Sequence, residues 1–464
     1  MNSKPLTYDS LKTILLYMDP NTRIILSSRI SSIRVAERAV PLEIRELKVG
    51  SYFIKVNETV FDYGIYQVDC KDESGHQVSI YSPLTNRLNC DVDEFGIRVY
   101  IAKAGGMLPG NNGFHEKNLF GEYDLEIIPT NEGRLEKLKR RLNVEKEKCN
   151  QLLNHRPNDN LNNTENCIKG FTGILHAQIY KKEELELLKN KEMVEKAIKY
   201  TNKKIKQMED ELLPFENKRK NIRPKFEIRV TKRHMNITPC VIERVKYTGD
   251  LHKAGDSLME FMFAKRQHAI QINELLFLSR CHMLQVLPNM KMMIQHLELR
   301  TNVSSMVKIL KPIMDESSFP CEKLKIFYGL DERQELDEEF IKHFKVLIIE
   351  GAIDLTLPLV QNLQNQKVNF KIRSDLFFQS PDFIDFIRNW VDINKPIGTC
   401  FIFYCYQEES DFIQILNSVR DQIEGAIAGN KSVNIPIRNS TVLQVSYDDN
   451  QNEFFIKMAV VPIK

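Results

Sequence analysis

The sequence predicts an α/β protein built from several units, and three observations support this fold class. The chain has 464 residues, about three times the length of a typical single domain. Its composition, with 42% hydrophobic and 27% charged residues, is that of a globular protein and excludes collagen, a small disulfide scaffold and a wholly disordered chain. Strand patterns and helix patterns alternate along most of the second half, which is typical of α/β folds.

Residues 1–40 predict a module of short helices. The apolar positions of the first helix recur at helical spacing: Leu11, Ile14, Leu15 and Met18. Asp19 and Pro20 end this helix, Asn21 can cap a second one, and a third follows. Because forty residues bury little surface, we expect this module to pack on the rest of the chain or on a partner.

Residues 41–130 predict a small β-rich unit. The segments LEIRELKV, YFIKVNETVFDYGIY, HQVSIYS and IRVYIA are rich in β-branched and aromatic residues, with turn residues between them. The tract from Gly105 to Gly113 predicts a connecting loop. It is not interpreted as a phosphate loop, because no Lys-Ser or Lys-Thr pair adjoins it.

Residues 131–213 predict a basic coiled-coil hairpin, in which the polar segment HRPNDNLNNTEN joins two antiparallel helices. The seam positions alternate steps of three and four residues in both helices. They are Leu135, Leu138, Leu142, Glu145, Cys149 and Leu152 in the first helix and Leu187, Lys191, Val194, Ile198, Thr201, Ile205, Met208 and Leu212 in the second. The flanking positions are dense in Lys and Glu, as expected for the solvated sides of such helices.

The overall charge of +3 conceals this basic segment. Between Glu132 and Arg233, 26 Lys and Arg residues stand against 16 Asp and Glu residues, so the segment carries +10 and the rest of the chain −7. A solvated helix face is the favoured interpretation and a phosphate-binding patch is the alternative. No aromatic side chains interleave with the basic ones to stack on bases, so nucleic-acid binding stays a minor hypothesis.

Residues 214–464 predict a run of strand–helix units. Strand-like cores begin at residues 226, 241, 270, 297, 324, 347, 370 and 401, and from the third onwards their starts are 23–31 residues apart. Helices are expected at 303–314, 337–344, 354–363 and 381–393. A unit of this length is typical of a leucine-rich-repeat-like curved solenoid, here without the asparagine ladder of regular repeats, and a doubly wound sheet is the alternative. The segments TVLQVSYDD and NEFFIKMAVVP predict a hairpin that caps the last repeat.

No motif in the sequence predicts catalysis. The HExxH, GxSxG and GxGxxG motifs and the phosphate loop are absent, and the ten His residues are dispersed without metal-ligand spacing. The acidic run from Asp91 to Glu94 lacks the glycine and the distal glutamate of a calcium loop. We therefore expect a protein that is not an enzyme, with no catalytic residues, no cofactor and no metal site.

The targeting signals predict an intracellular protein, cytoplasmic or nuclear. The first segment, MNSKPLTYDSLKTILLYMDP, lacks the apolar core of a signal peptide. No stretch of the sequence reaches the roughly 18 apolar residues of a transmembrane helix. The nine cysteines are odd in number and scattered singly, as in a reducing compartment.

The N-terminal helices also carry a recognisable pattern. PLTYDSLKTILLYMDPNTRIILSSRISSIR resembles an F-box, the element that binds the Skp-type adaptor of a cullin–RING ubiquitin ligase; after Arg29 it departs from that pattern, because Ile30 to Arg34 replace a Cys-Arg-x-Trp-like segment. The resemblance implies these partner-binding residues: Leu11, Ile14, Leu15, Met18, Pro20 and Ile24. The alternative is that the apolar residues, with Ile25, form a core against the strands at 41–128.

Further resemblances lie in the second half. The segments Pro214–Val230, Ile242–Ala254 and Asp315–Ile326 resemble a nematode-expanded family that joins such an N-terminus to a domain of unknown function. The segment Ser380–Gly398 is similar to the F-box-associated domain of nematode F-box proteins, with Trp390 at its tryptophan position. Because Trp390 follows the helical pattern of the preceding apolar residues, we expect it in the core.

These resemblances imply a non-catalytic interaction adaptor. It would be a substrate receptor of a cullin–RING (SCF-type) ubiquitin ligase that binds a target protein through its C-terminal repeat domain. The expected partners are a Skp-type adaptor with its cullin complex and a protein substrate; no membrane partner is expected. The alternative is a ubiquitin-independent interaction scaffold that uses the coiled-coil hairpin and the repeat surface.

Overall fold

The computed structural model describes residues 7–50, 52–68, 76–77, 91–99, 130–157, 179–234, 238–278, 290–300, 303–328, 337–351, 355–371, 376–405, 408–438, 440–450 and 453–463. The predicted loop at Gly105–Gly113 and most of the polar loop HRPNDNLNNTEN lie outside these residues. The chain divides into two compact units. The larger unit contains residues 1–60 and 256–464, and the smaller unit contains residues 61–233 and 237–255.

The described residues contain thirteen α-helices. They are α1 (Tyr8–Leu16), α2 (Pro20–Arg29), α3 (Ser31–Arg38), α4 (Asn131–Asn154), α5 (Lys182–Leu185), α6 (Lys191–Arg219), α7 (His252–Phe263), α8 (Val303–Leu310), α9 (Glu338–Ile341), α10 (Leu357–Gln361), α11 (Leu376–Gln379), α12 (Pro381–Ile393) and α13 (Glu409–Gln422). Among these helices, none is long and apolar enough to cross a bilayer.

The described residues also contain eighteen strands, which confirms the mixed α/β class. They are β1 (Glu43–Gly50), β2 (Phe53–Val56), β3 (Thr59–Gln67), β4 (His76–Gln77), β5 (Asp91–Val92), β6 (Arg98–Val99), β7 (Phe226–His234), β8 (Cys240–Lys246), β9 (Ile270–Phe277), β10 (Met292–Leu299), β11 (Cys321–Tyr328), β12 (Phe344–Gly351), β13 (Lys367–Lys371), β14 (Cys400–Tyr404), β15 (Ile427–Gly429), β16 (Ser432–Arg438), β17 (Thr441–Asn450) and β18 (Glu453–Pro462).

The sheet of the larger unit runs in the order β2-β1-β9-β10-β11-β12-β13-β14-β18-β17-β16-β15. The strands from β1 through β9 to β14 are parallel to their neighbours. Strands β9 to β14 follow one another in chain order, so these described strands do not show the reversal of order that defines a doubly wound sheet. The predicted hairpin is confirmed as β17 and β18, and β18 pairs antiparallel with β14.

Two rows of apolar side chains cross this sheet in register and form its buried face. The first row is Leu47, Leu275, Leu297, Leu324, Leu347, Val368, Phe401 and Met458, and the second is Val49, Phe277, Leu299, Ile326, Ile349, Phe370, Phe403 and Ile456. No member of either row is more than 3% exposed. Helix α12 packs on this face, since the ring centroids of Trp390 and Phe401 lie 4.8 Å apart. Trp390 is fully buried, which confirms its predicted place in the core.

The strand–helix pattern of the second half is confirmed for strands and partly for helices. Every predicted strand core overlaps an observed strand, and 381–393 matches α12. The helix expected at 337–344 ends at Ile341, because Phe344 begins β12 and packs in the buried face instead. Helices α7 and α13 were not predicted. In α13 the signal was present, since Phe412, Leu416 and Val419 follow helical spacing and are buried.

One buried asparagine links successive strand–helix units through its side chain. The side chain of Asn365 is buried before β13, and its Nδ2 atom donates hydrogen bonds to the carbonyls of Ile341 at 2.8 Å and Phe344 at 2.6 Å. These contacts join the loop before β13 to the end of α9 and to the start of β12. A single asparagine has no periodicity, so a search for a repeating position misses it.

In the smaller unit, α4 and α6 pack along each other, and the predicted seam residues are buried or half-buried except Lys191, which is exposed; Leu187 precedes the start of α6. Leu138 and Leu142 pack with Met208, and a second cluster contains Leu152 and Val194. The strands of this unit lie in the order β3-β7-β8, with β4 beside β3, and β5 and β6 form a separate pair.

A buried ionic contact lies between the two clusters in sequence. The carboxylate of Glu145 is 3.1 Å from the Lys148 ammonium and 2.8 Å from the Lys204 ammonium, and all three side chains are less than a tenth exposed. Burial lowers the pKa of Lys148, although the charge of Glu145 opposes this shift. The predicted seam position Glu145 therefore joins the helices through charge rather than through apolar contact.

The second long helix starts and ends later than the pattern at 181–213 predicts. It begins at Lys191, after the side chain of Asn190 accepts a hydrogen bond from the backbone N–H of Met193 at 2.9 Å, as an N-cap does. It continues through Pro214 to Arg219. Phe215 packs on the cluster around Met208, and this contact offsets the one backbone hydrogen bond that Pro214 removes.

A buried ion cluster attaches the N-terminal helices to the rest of the larger unit. Glu37 in α3 lies between Arg23 in α2 and Arg266 after α7, with its Oε1 atom 3.2 Å and 2.9 Å from the two Nη2 atoms. All three side chains are at most 6% exposed. Arg23 also donates to the carbonyl oxygens of Pro41 and Val40. Burial lowers the pKa of both arginines, and the charge of Glu37 limits the shift.

We expect Glu37→Gln to lower the free energy of unfolding of the larger unit by about 3 to 5 kcal/mol. The substitution leaves two guanidinium groups buried without their carboxylate, and the breaking of a buried ionic contact has a cost of this size. Urea unfolding followed by the fluorescence of Trp390, the single tryptophan of the chain, measures this unit alone.

The matched control is Asp385→Asn, which removes an exposed ion pair with Arg388 in the same unit. We expect Asp385→Asn to change the free energy of unfolding by less than about 1 kcal/mol, because solvent screens an exposed ion pair. Equal losses in the two variants would show that the Glu37 cluster adds nothing beyond a surface pair.

Candidate functional site

Side-chain caps stabilise the starts of α1 and α2. The side chain of Thr7 accepts a hydrogen bond from the N–H of Ser10 at the start of α1. At the start of α2, Asp19 accepts from the N–H of Thr22, and Pro20 occupies the first helical position. Proline is suited to this position because its fixed φ is helical and its missing N–H has no partner there.

The six residues that the sequence assigned to partner binding differ in how much of their surface is exposed. Leu15 is 1% exposed and forms a cluster with Ala36 and Val40, against which Leu11 and Met18 pack. Ile24 is also interior, at 3% exposed, whereas Pro20 is half-buried. Ile14 is the one member of the set on the surface, at 44% exposed. Leu15 and Ile24 therefore contribute to the core of the module.

The module exposes other large apolar side chains that the sequence pattern did not single out. They are Tyr8, Leu16 and Tyr17 in and after α1, Ile30 before α3 and Val35 in α3. Tyr17 is the most exposed, at 85%. Ile14 and Tyr17 are three residues apart and lie on one side of the helix. The signal that could have found these residues is their apolar character at positions outside the helical stripe, where polar residues are expected.

The second candidate surface is the face of the sheet opposite the two buried rows. Side chains alternate between the faces of a strand, so the residues between the row positions point to this side. We call it the open face, because its side chains, apart from the buried Leu276, are half-buried or exposed whereas those of the rows are buried. It includes the half-buried apolar residues Val346, Ile348 and Ile402.

Four charged residues form a row across the open face, one in each of the strands β10 to β13. We call Glu298, Lys325, Glu350 and Lys371 the charge row. The ammonium of Lys325 lies 3.9 Å from the Glu298 carboxylate and 2.9 Å from the Glu350 carboxylate, which is 3.5 Å from the ammonium of Lys371. Neighbouring charges therefore neutralise one another, and the row presents no net field that would attract a phosphate backbone.

The electrostatics of Glu350 follow from this arrangement. Burial alone would raise the pKa of its carboxyl group. The hydrogen bonds and charges of Lys325 and Lys371 outweigh burial and hold the pKa of Glu350 below its usual value. The carboxylate therefore stays ionised to lower pH than that of an isolated glutamate.

An aromatic pair extends the row. The ammonium of Lys371 lies 5.8 Å from the ring centre of Tyr404 in β14, within the range of a cation–π contact. The ring of Tyr404 is 5.4 Å from that of Phe455 in β18. Protein interfaces favour aromatic residues at their centre and polar groups at their rim, so the aromatic pair is the part of this surface that suits an interface centre.

Three described residues of reactive types, Asp91, Cys321 and Cys400, are buried or half-buried. The carboxylate of Asp91 accepts hydrogen bonds from the Tyr247 hydroxyl at 2.7 Å and from the backbone N–H of Leu251 at 2.6 Å. Burial raises the pKa of the Cys321 thiol to about 12 and also raises that of Cys400, so neither is a ready nucleophile. In the part of the chain that the structure describes, no three His, Cys, Asp or Glu side chains are placed to hold a metal ion.

We expect Glu350→Gln to lower the free energy of unfolding by about 0.5 to 1 kcal/mol at pH 7, the size of a partly exposed pair. Because the pKa of Glu350 is lowered in the folded state, its contribution is present above the ordinary pKa of 4.5 and is lost as the pH falls through the folded value. Urea unfolding followed by Trp390 fluorescence at pH 7 and near pH 3.5 measures the difference. Glu424→Gln, an exposed residue outside the row, is the control. If Glu350→Gln lowered the free energy of unfolding as much near pH 3.5 as at pH 7, the contribution of Glu350 would not come from its charge.

Comparison with known proteins assigns one segment of the chain. Residues 250–407 match the model of a domain of unknown function, DUF3557, which covers about a third of the chain and contains α7, β9 to β14 and the helices between them. The chain matches no curated protein and no solved structure at a significant level. No F-box family model matches it. The prediction that the chain carries a domain of unknown function is therefore confirmed at this coarser level.

Proposed function

We propose that this protein is a non-catalytic interaction adaptor, a substrate receptor that joins a target protein to a cullin–RING ubiquitin ligase. The N-terminal helices are the F-box-like element that binds a Skp-type adaptor. The observation that carries the proposal is the apolar surface of these helices, on which Tyr8, Ile14, Leu16 and Tyr17 are each at least 44% exposed. A docking element needs such residues outside the core, whereas a module that only packs on its own chain does not.

The contact residues of this element are then a revised set. Leu15 and Ile24 support the module from inside, and Leu11 and Met18 pack on the Leu15 cluster. Ile14 and Tyr17 provide the contact with the adaptor. Aromatic residues are favoured at interface centres, because they bury a large area and lose little conformational entropy.

The target binds on the open face of a leucine-rich-repeat-like curved sheet. Three features support this architecture: parallel strands in chain order, the packing of α12 on the buried face of the sheet, and the bridging Asn365. Parallel sheets are usually covered on both faces, and repeat solenoids are an exception that uses the uncovered face for binding. The charge row and the pair of Tyr404 and Phe455 are the recognition groups.

A ubiquitin-independent scaffold is the second candidate function, and the helix pair of the smaller unit favours it. Helices α4 and α6 are the two arms of a coiled-coil hairpin with Leu142 and Met208 in its seam. Its outer face carries exposed basic residues, among them Lys139, Lys199 and Lys206. Such a face is suited to an acidic protein partner.

The adaptor contact is tested by co-purification of the full chain with a recombinant Skp-type adaptor. We expect the wild-type chain to retain the adaptor and the double variant Ile14→Asp, Tyr17→Asp to bind it at least about tenfold more weakly, since two carboxylates would be buried in an apolar contact. Both residues are exposed, so the substitutions leave the core intact. Leu15 is unsuitable for this test because its substitution would also destabilise the module.

The matched control is Ile413→Asp in α13, where the isoleucine is 46% exposed against 44% for Ile14. We expect this variant to bind the adaptor as the wild type does. No retention of the adaptor by the wild-type chain, or equal retention by all variants, would remove the ubiquitin-ligase role and leave the scaffold function.

A further inference from the structure

A polar cavity of about 730 Å³ lies in the larger unit where strands β1, β9, β10 and β11 begin. Gln271, Asn273 and Gln295 line it, with Glu43 at one end and Glu322 at the other. These side chains belong to the open face, because the residues that alternate with them, such as Ile272, are buried. The cavity crosses four neighbouring strands, which corresponds to a length of about 14 Å at 4.8 Å per strand. We call it the groove.

Four of the described residues that line the groove carry a carboxamide, and in one of them, Asn57, the Oδ1 atom accepts hydrogen bonds from the backbone N–H groups of Arg45 and Glu46. Among the residues that the structure describes, none forms a hydrogen bond with the side chain of Gln271, Asn273 or Gln295. Each carboxamide offers both N–H donors and a carbonyl acceptor. Gln271 and Asn273 on β9 and Gln295 on the neighbouring β10 form a patch that can both donate and accept hydrogen bonds.

A peptide backbone matches this patch. In an extended chain the N–H donor and the carbonyl acceptor of one residue point to the same side, so a carboxamide can bind both groups of that residue. An extended chain rises about 3.3 Å per residue, so the groove takes roughly four residues. The strands hold the carboxamides in place, which lowers the entropic cost of binding.

The charge of the groove selects among peptides. Glu322 is paired with Lys345 at 2.6 Å, and Arg45, which also lines the groove, is paired with Glu58. Glu43 has no hydrogen bond or salt bridge with any described residue, and it is exposed. The groove therefore has an available negative charge at one end, which is complementary to a Lys or Arg side chain of the ligand.

The same lining disfavours nucleic acid. No aromatic ring is among the described residues that line the groove, so a base has no surface on which to stack. The available carboxylate of Glu43 would also repel a phosphate. Peptide is the macromolecular ligand that both properties favour.

We propose that the groove binds an extended segment of about four residues, with the carboxamides on its main chain and Glu43 on a basic side chain. This deepens the proposed function, on which it rests, by naming the segment of the target protein that the open face recognises: an extended, basic peptide. Asn273 and Gln295 hold the main chain, and Glu43 determines the charge preference.

The test uses the full chain and a positional-scanning library of capped hexapeptides, in which one position at a time is fixed as Lys, Arg, Glu, Asp or Ala. We expect the Lys and Arg pools to bind more tightly than the Glu and Asp pools. Asn273→Leu and Gln295→Leu should each weaken binding of every pool about tenfold, the effect of losing the hydrogen bonds of one carboxamide. Glu43→Gln should remove the preference for basic pools and leave the Ala pools unchanged.

The matched control is Asn369→Leu, which exchanges the same residue type at a half-buried position on the open face outside the groove. We expect it to bind all pools as the wild type does, and Trp390 fluorescence checks that each variant is folded. Binding that the three groove variants leave unchanged would overturn the proposal, and so would the absence of binding by any pool at about 1 mM peptide.

The two proposals fail separately. Adaptor retention depends on Ile14 and Tyr17, neither of which lines the groove. Retained adaptor without peptide binding would overturn the groove alone. Groove-dependent peptide binding without adaptor retention would support the groove and assign its peptide to the scaffold function.

Discussion

The larger unit depends on the burial of one face of a parallel sheet. Sixteen side chains in two rows, from Leu47 and Val49 in β1 to Met458 and Ile456 in β18, meet in register and exclude water from that face. Each buried aliphatic or aromatic side chain contributes roughly 1.5 to 3 kcal/mol relative to an exposed one. Because the rows alternate with the positions between them, this burial also determines which side chains the open face presents. The charge row and the groove are therefore consequences of the packing on the other side.

The spacing of the strands gives the open face its chemistry. Residues in register on neighbouring strands lie about 4.8 Å apart, a distance that long charged side chains bridge easily. Lys325 is in register with Glu298 on β10 and lies near its carboxylate. It reaches Glu350 on β12 diagonally, because its own partner in register there is Ile348. At the start of the strands the same spacing brings three carboxamides together, and there the described residues provide no partners. One part of the face is thus internally neutralised and another has unused hydrogen-bonding capacity.

The N-terminal helices show which structural features local sequence patterns can predict and which they cannot. Their positions and caps follow from short-range signals, among them the periodic apolar residues and the Asp19-Pro20 pair. The pattern identifies Leu15 as a residue of the apolar stripe, but it cannot show whether that stripe meets the chain or a partner. The buried contact of Glu37 with Arg23 and Arg266 decides this, and its members are 14 and 229 residues apart in sequence. No local signal predicts such a contact.

The strands of the second half and the seam of the long helices were predictable because each is encoded by a run of adjacent residues with a period of two or about 3.6. Helix ends were less predictable, since Phe344 is taken into β12 and Phe215 carries α6 past Pro214 through contacts with distant residues. The candidate sites were the least predictable. Asn273 and Gln295 acquire their common direction only when parallel pairing sets β9 and β10 in register. Local periodicity thus decides which segments become helices and strands, whereas register between strands decides which side chains share a surface, because that depends on residues far apart in the chain.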